Sequence, residues 1–169
     1  MNIYAAIDIK NGNVIKAFAG IRSNYTPLLI NKKDFSDPFS LIKTIKRTLN
    51  IKKFYIADLD SINGSNNNWF LLKRILFFFK DLEFILDLGI NHPQKLLSFK
   101  NFKKKEFSLA DNHIFIICTE LLSNIKNLMK FRNKKNLILS IDFNGFENQW
   151  IKKIKNFAVF KQVILRFIK

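Results

Sequence analysis

Two short stretches of the chain share a pattern that limits what it can fold into. In residues 5–12 and again in residues 139–145, an apolar run stops at an aspartate, Asp8 or Asp142, and passes into an Asn-Gly turn. In parallel α/β proteins, buried strands that end on a carboxylate bring acidic side chains to the mouth of the sheet. The repetition therefore predicts two carboxylates that face one pocket, an arrangement suited to proton transfer.

The rest of the chain alternates strand-like runs with helical patterns. Strands are predicted over residues 3–7, 53–59, 83–88, 113–118, 136–141 and 160–168, with extended pieces at 14–19 and 27–30. Helices are predicted over residues 38–50, 69–79, 93–99, 121–131 and 148–156, the first of them capped by Asp37. Strands that are apolar on both faces and alternate with helices predict a covered parallel sheet, either open or closed into a barrel.

Two nucleotide-binding architectures are disfavoured because their motifs are missing. No Gly-x-Gly-x-x-Gly follows a predicted strand, and no Gly-x-x-x-x-Gly-Lys-Ser/Thr occurs in the chain. A barrel is therefore the preferred architecture. The 169 residues, of which 48% are hydrophobic, suit one domain that covers residues 1–169.

The formal net charge of +16 has two interpretations. Lysines can hold a nucleic acid through its phosphates. Alternatively, Lys, Asn, Ile and Phe are enriched together by compositional drift, and the lysine clusters are scattered along the chain. Only five arginines are present, although arginine is the residue suited to bidentate phosphate and base contacts. We prefer drift and predict no nucleic-acid partner.

Several other classes are excluded by composition. No apolar run is long and uncharged enough to span a membrane, and the amino terminus lacks a secretory signal, so a cytoplasmic location is expected. Cys118, the only cysteine, is predicted to be a small core residue in a reducing compartment. Because His and Cys residues do not cluster, no metal or other cofactor is predicted.

Five short motifs occur in order along the chain: 6–12 (Ala-Ile-Asp-Ile-Lys-Asn-Gly), 57–60 (Ala-Asp-Leu-Asp), 86–90 (Leu-Asp-Leu-Gly-Ile), 118–120 (Cys-Thr-Glu) and 140–142 (Ser-Ile-Asp). Together they resemble the histidine-biosynthesis barrels, namely phosphoribosylformimino-aminoimidazole carboxamide ribotide isomerase and its cyclase relative. Loop 20–28 is most similar to an isomerase-like branch from methanogens and methylotrophs, for which no reaction is carried over. The resemblance implies a TIM-type (βα)8 barrel made of two similar half-barrels.

The resemblance also implies an enzyme and its acid–base pair. The isomerase converts a phosphoribosyl aminoaldose into an aminoketose by an Amadori rearrangement. One group must protonate the ring oxygen so that the sugar opens, and another must remove the proton from C2. Asp8 at strand one and Asp142 at strand five correspond to this pair. We assign Asp8 as the base and Asp142 as the acid, with the pairing firmer than the two roles.

Further residues are implied as anchors for the phosphosugar. The resemblance places Gly89 and Thr119 in a phosphate site, through backbone N–H groups and a hydroxyl. Gly89 can equally be a simple strand-to-loop turn. Asp58 and Asp60 either orient the substrate or cap a loop. His92 is predicted to start a helix. His113 is predicted to face the non-catalytic end of the barrel. Neither histidine is predicted to be a metal ligand.

One departure from the family weakens the expected activity. The family has eight strand–helix units, whereas about six parallel strands are predicted here, and strands seven and eight are missing. Strands one and six would then be open edges. Three interpretations stay open: a fragment of a decaying gene, a chain completed by a second copy or another polypeptide, and a shortened protein with a smaller task. A non-catalytic protein that acts through the open edge is the alternative function.

Overall fold

The computed structural model describes residues 3–16, 24–107, 111–122, 125–131, 136–144 and 163–168. Its strands are β1 (Ala5–Lys10), β2 (Asn13–Lys16), β3 (Thr26–Pro27), β4 (Leu29–Ile30), β5 (Lys33–Asp34), β6 (Lys53–Asp58), β7 (Glu83–Asp87), β8 (His113–Cys118), β9 (Leu137–Asn144) and β10 (Val163–Ile168). Its helices are α1 (Pro38–Leu49), α2 (Leu59–Asn63), α3 (Trp69–Phe78), α4 (Pro93–Asn101) and α5 (Ile125–Met129), with a 3-10 turn at Thr119–Leu121.

Six parallel strands form the body of the main sheet. Their spatial order is the chain order β1, β6, β7, β8, β9, β10, and every neighbouring pair is parallel. A doubly wound sheet reverses its strand order at a switch point, whereas a TIM-type barrel adds each strand beside the previous one. The prediction of a TIM-type α/β fold with about six parallel strands is therefore confirmed.

An Asn-Gly hairpin extends this sheet at the β1 end. Asn11 and Gly12 both have positive φ, +50° and +79°, which a tight two-residue hairpin turn requires. Strand β2 consequently pairs antiparallel with β1, Lys10 opposite Asn13, and β3 pairs with β2. Two expectations are corrected: the first strand runs to Lys10 instead of stopping at residue 7, and its carboxyl half is covered by β2 instead of being an open edge.

The two faces of the sheet carry different apolar layers. One face packs against the helices, with side chains such as Ile56, Leu86 and Ile117 in contact with the buried faces of α1, α3 and α4. The other face carries a smaller cluster of Ile85, Ile116, Cys118 and Ile138. Because side chains alternate along a strand, these two layers define a helix-covered face and an inner face. Cys118 is 2% exposed, as expected of a core residue.

Local signals placed most helix starts correctly. Asp37 caps α1 by accepting from the Ser40 N–H (2.8 Å), and Asn50 ends the helix with φ +52°. His92 caps α4, its Nδ1 accepting from the Gln94 N–H (3.2 Å), so its prediction as a helix-start residue is confirmed. Helix α3 is within one residue of its predicted end.

Three elements differ from the expectation. Leu59 opens α2 instead of ending β6, because Asp58 caps a short helix that Gly64 closes with φ +71°. Of the helix predicted at 121–131, the described residues include the last residue of the 3-10 turn, Leu121, and the short helix α5. Strand β9 continues to Asn144, so Asp142 lies within it and not at its end. The helix predicted at 148–156 lies outside the described residues.

Within the described part of the chain, none of the helices is both long enough and apolar enough to cross a membrane.

Candidate functional site

The carboxyl ends of β1 and β6 are joined by a network of two aspartates and an asparagine. Asn68 donates from Nδ2 to Asp58 Oδ1 (2.7 Å) and to Asp60 Oδ2 (2.8 Å). Its own Oδ1 accepts from the Gly12 N–H (2.9 Å), and Asp60 Oδ2 accepts from the Asn11 N–H (2.6 Å). The hairpin turn after β1 is thereby fastened to the loop after β6.

Asp58 is occupied by protein groups on both carboxylate oxygens. It is fully buried and accepts from the backbone N–H groups of Ser61 (3.1 Å) and Asn68 (2.8 Å), besides the Asn68 side chain. Burial raises the pKa of Asp58, while these hydrogen bonds oppose the rise. Of the two roles predicted for Asp58, this geometry is that of a cap. Asp60 likewise braces the hairpin turn.

A second buried carboxylate, Asp87, was named in the sequence only as part of a motif. It lies at the end of β7 and is 1% exposed. It accepts from the Tyr55 hydroxyl (2.9 Å), the Cys118 Sγ (3.3 Å) and the Gly89 N–H (3.1 Å). The aspartate at the end of an apolar run was the available signal, as for Asp8. Its tyrosine and cysteine partners come from other strands.

Lys95 supplies the cation of this region. It projects from the first turns of α4, and its Nζ donates to the carbonyls of Ser61 (2.7 Å) and Gly89 (3.2 Å). Burial lowers the pKa of Lys95, and the charges of Asp58 and Asp87 oppose that decrease. The ammonium therefore ties together the loops that follow β6 and β7.

Gly89 has a steric reason to be glycine. Its φ is +61°, and a Cβ added there would lie 2.7 Å from the Ile62 Cα in α2. Its N–H is directed at Asp87, so this donor is already engaged within the protein. The turn interpretation of Gly89 accounts for these contacts, and phosphate binding by its backbone stays a prediction.

The register relates Asp8 to the other strands. Asp8 lies opposite Ala57, and Ala57 lies opposite Asp87. The β7–β8 pairing, continued by one residue past Leu86 and Phe115, brings this row to Ile116, which lies opposite Ile138. Asp142 lies four residues further along β9. Asp8 itself is partly exposed, on the opposite face of β1 from the buried Ile7 and Ile9.

The remaining predicted residues fall at opposite ends of the sheet. Thr119 directly follows β8 at the carboxyl end and is 2% exposed. His113 is the first residue of β8, at the amino end, as expected. Among the described residues, no three His, Cys, Asp or Glu side chains are grouped so that they could hold a metal ion.

Lys95→Met is expected to lower the free energy of unfolding by about 2 kcal/mol, because two carbonyls lose a charged donor and two buried carboxylates lose a nearby cation. Urea denaturation measures the change. The control is Lys126→Met, an exposed lysine of α5, for which a change within about 0.5 kcal/mol is expected. Equal effects of the two substitutions would contradict the bracing role of Lys95.

Comparison with known proteins agrees with this architecture. A family model described as histidine biosynthesis protein matches residues 2–163. The chain is also 30% identical over 145 residues to an uncharacterized protein of Methanocaldococcus jannaschii, a match that covers 86% of this chain and 58% of the relative. The chain thus spans little more than half of that relative's length. Since the family model covers nearly all of the chain, this protein belongs to the histidine biosynthesis protein family, a family of TIM barrels.

Proposed function

We propose that this chain is a phosphosugar isomerase that converts an aminoaldose into an aminoketose, with Asp8 and Asp142 as its acid–base pair. Membership of the histidine biosynthesis family supports the reaction class. The observation that carries the residue assignment is the strand register, because it relates the heights of the two aspartates in a barrel.

In an eight-stranded barrel with a shear of eight, the strands are tilted, so residues paired across neighbouring strands do not lie at the same height along the barrel axis. From one strand to the next, the residue at the same height is displaced along the strand by one position from the paired residue. The row through Asp8 crosses β1 at its fourth residue but β9 at its second, which indicates the direction of the shift. Strand β9 is four strands from β1. A line of constant height from Asp8 therefore passes the position of Gly89, two residues beyond the end of β7, and meets β9 at Asp142.

The same line meets β6 at Asp58, on the other face, and reaches Thr119, the residue directly after β8. Alternate strands contribute to one layer of a TIM barrel interior, so position 142, on the fourth strand after β1, belongs in the proposed barrel to the same layer as position 8. Position 58 falls on the helix side, in keeping with its role as the cap of α2. This supports a catalytic pair of Asp8 and Asp142, with Asp58 and Asp60 as positioning residues.

The proposed chemistry needs two carboxylates on opposite sides of one sugar. Asp142, protonated, donates to the ring oxygen, and the C1–O bond breaks to leave a protonated Schiff base. Asp8, ionised, then removes the proton from C2; the C2–H electron pair forms the C1=C2 bond, and the π pair of the C=N bond moves onto nitrogen to give the enolamine. The enolamine tautomerises to the ketone.

The proposal also covers whether this chain is active alone and which partners could complete it. Because the chain spans 58% of its relative's length, turnover by this chain alone is part of what we propose. A second phosphate site, a complementing chain and a second copy beside β10 remain predictions. Thr119 stays the predicted hydroxyl donor to one phosphate.

The test is turnover of the phosphoribosyl aminoaldose by the purified chain, with aminoketose formation followed chromatographically. We expect product above the uncatalysed rate. Binding of the aminoaldose is measured in parallel by calorimetry. The proposal fails if a folded chain binds the aminoaldose without turnover or does not bind it at all.

A further inference from the structure

A cavity of about 410 Å³ opens at the amino-terminal end of the parallel strands, opposite the candidate site. It lies where the end of α4 and the turn after it meet the starts of β8 and β9. Its lining includes Lys100, Asn101, Lys104, Phe107, His113 and Asn136. Small-molecule sites in proteins are concavities of this size, with apolar walls and a few converging polar groups.

The cavity has an excess of positive charge. Lys100 and Lys104 line it, and Asp111 is the carboxylate among its lining residues. Behind the wall, the fully buried Lys73 donates from Nζ to the Lys100 carbonyl (3.0 Å). Within the described ranges, no carboxylate forms an ion pair with any of these three lysines, whereas neighbouring Lys103 is paired with Glu106 at 3.0 Å.

Lys73 is affected by this excess. Burial lowers the pKa of its ammonium, and the charge of Lys104 lowers it further. A buried cation that is hydrogen-bonded to a carbonyl and repelled by a neighbouring lysine would gain from an anion placed in the cavity. Lys73, Lys100 and Lys104 together therefore create the positive potential expected of an anion site.

The other lining groups indicate the rest of the ligand. Phe107 offers an aromatic ring at the wall, and the amides of Asn101 and Asn136 can each donate and accept hydrogen bonds. An aromatic wall, amides and lysines together match a phosphate attached to a heterocycle better than a bare anion. We propose that this cavity binds a phosphorylated heterocyclic small molecule of mononucleotide size, with its phosphate at Lys100 and Lys104.

Calorimetry with adenosine monophosphate, inorganic phosphate and adenosine tests the proposal at fixed ionic strength. Adenosine monophosphate is expected to bind the wild-type chain, and the double variant Lys100→Gln/Lys104→Gln should bind it at least about tenfold more weakly. The matched control is Lys52→Gln/Lys126→Gln, which removes the same charge at two exposed lysines outside the cavity. Its affinity should stay within about twofold of wild type.

The control separates this site from general attraction to a chain of net charge +16. Equal weakening in both double variants, or no binding of adenosine monophosphate by the folded wild type, overturns the proposal. Inorganic phosphate that binds as tightly as adenosine monophosphate overturns the heterocyclic part. If the double variant Lys100→Gln/Lys104→Gln unfolds, the single variant Lys104→Gln, which removes an exposed lysine, should still weaken binding by several-fold. Unchanged affinity in that variant would refute the site.

Discussion

Asp8→Asn and Asp142→Asn are each expected to lower kcat/KM for the aminoaldose by about 10²–10⁴-fold, the usual contribution of a positioned general acid or base. An amide of the same shape can neither take the C2 proton nor supply one to the ring oxygen. The kcat/KM of the double variant should be only slightly lower than that of the less active single variant, because both groups serve one reaction path. Initial rates at several substrate concentrations measure these effects.

The pH profile distinguishes the two roles. With Asp8 as the base and Asp142 as the acid, the wild-type profile of kcat/KM should be bell-shaped. Asp8→Asn should remove the rise on the acidic side, and Asp142→Asn should remove the fall on the alkaline side. If Asp8→Asn instead removes the alkaline fall and Asp142→Asn removes the acidic rise, the two roles are reversed, but the two aspartates remain the acid–base pair.

A matched control guards against an effect of charge alone. Asp81→Asn removes an exposed carboxylate that is paired with Lys46 on the helix side, and it should leave kcat/KM within about twofold of wild type. Circular dichroism shows whether each variant is folded. A folded Asp8→Asn or Asp142→Asn variant with wild-type kcat/KM would remove that aspartate from the mechanism.

Gly89→Ala is expected to lower the free energy of unfolding by about 2–5 kcal/mol. The left-handed backbone at φ +61° costs an alanine about 1–2 kcal/mol. In addition, the new Cβ would lie 2.7 Å from the Ile62 Cα, so α2 would have to move. That movement would disturb the bond from the Ser61 hydroxyl to the Leu88 carbonyl (2.9 Å), at a further cost typical of overpacking, about 1–3 kcal/mol.

Gly64→Ala is the matched control for Gly89→Ala. Gly64 has a similar φ of +71°, but no heavy atom lies within 4 Å of its added Cβ. It should therefore show the backbone strain alone, about 1–2 kcal/mol. The difference between the two variants in urea denaturation isolates the close approach of α2. Equal losses would mean that Gly89 is needed only for its backbone conformation.

Local sequence patterns predicted most elements because their causes are local. Asp37 and Pro38 start a helix through a cap and a preset φ, wherever that helix later packs. The Asn-Gly pair demands positive φ at two successive residues, which favours a hairpin turn. Asp58 before α2 and Gly64 after it are signals of the same kind, but the apolar run that continues to Leu59 favours a longer strand.

The contacts around the candidate site depend on the fold, whereas the sequence indicates only which residues to consider. The apolar runs ending at Asp8 and Asp142 marked two acids, and the parallel order of the strands then related their positions. The partners of Asp87 come from other strands, and Lys95 reaches carbonyls from two loops. No spacing within the sequence encodes such contacts, because they depend on which strands become neighbours and in what register.

Residue types and their spacing alone determined that this chain would form parallel strands joined by helices, since side-chain alternation and helix caps act over a few residues. Only the tertiary structure decided that Gly89 must admit α2, that β2 covers the end of β1, and that two lysines line one cavity with a third behind its wall. These features arise from long-range packing, which brings together backbone, side chains and charges from residues that are far apart in the chain.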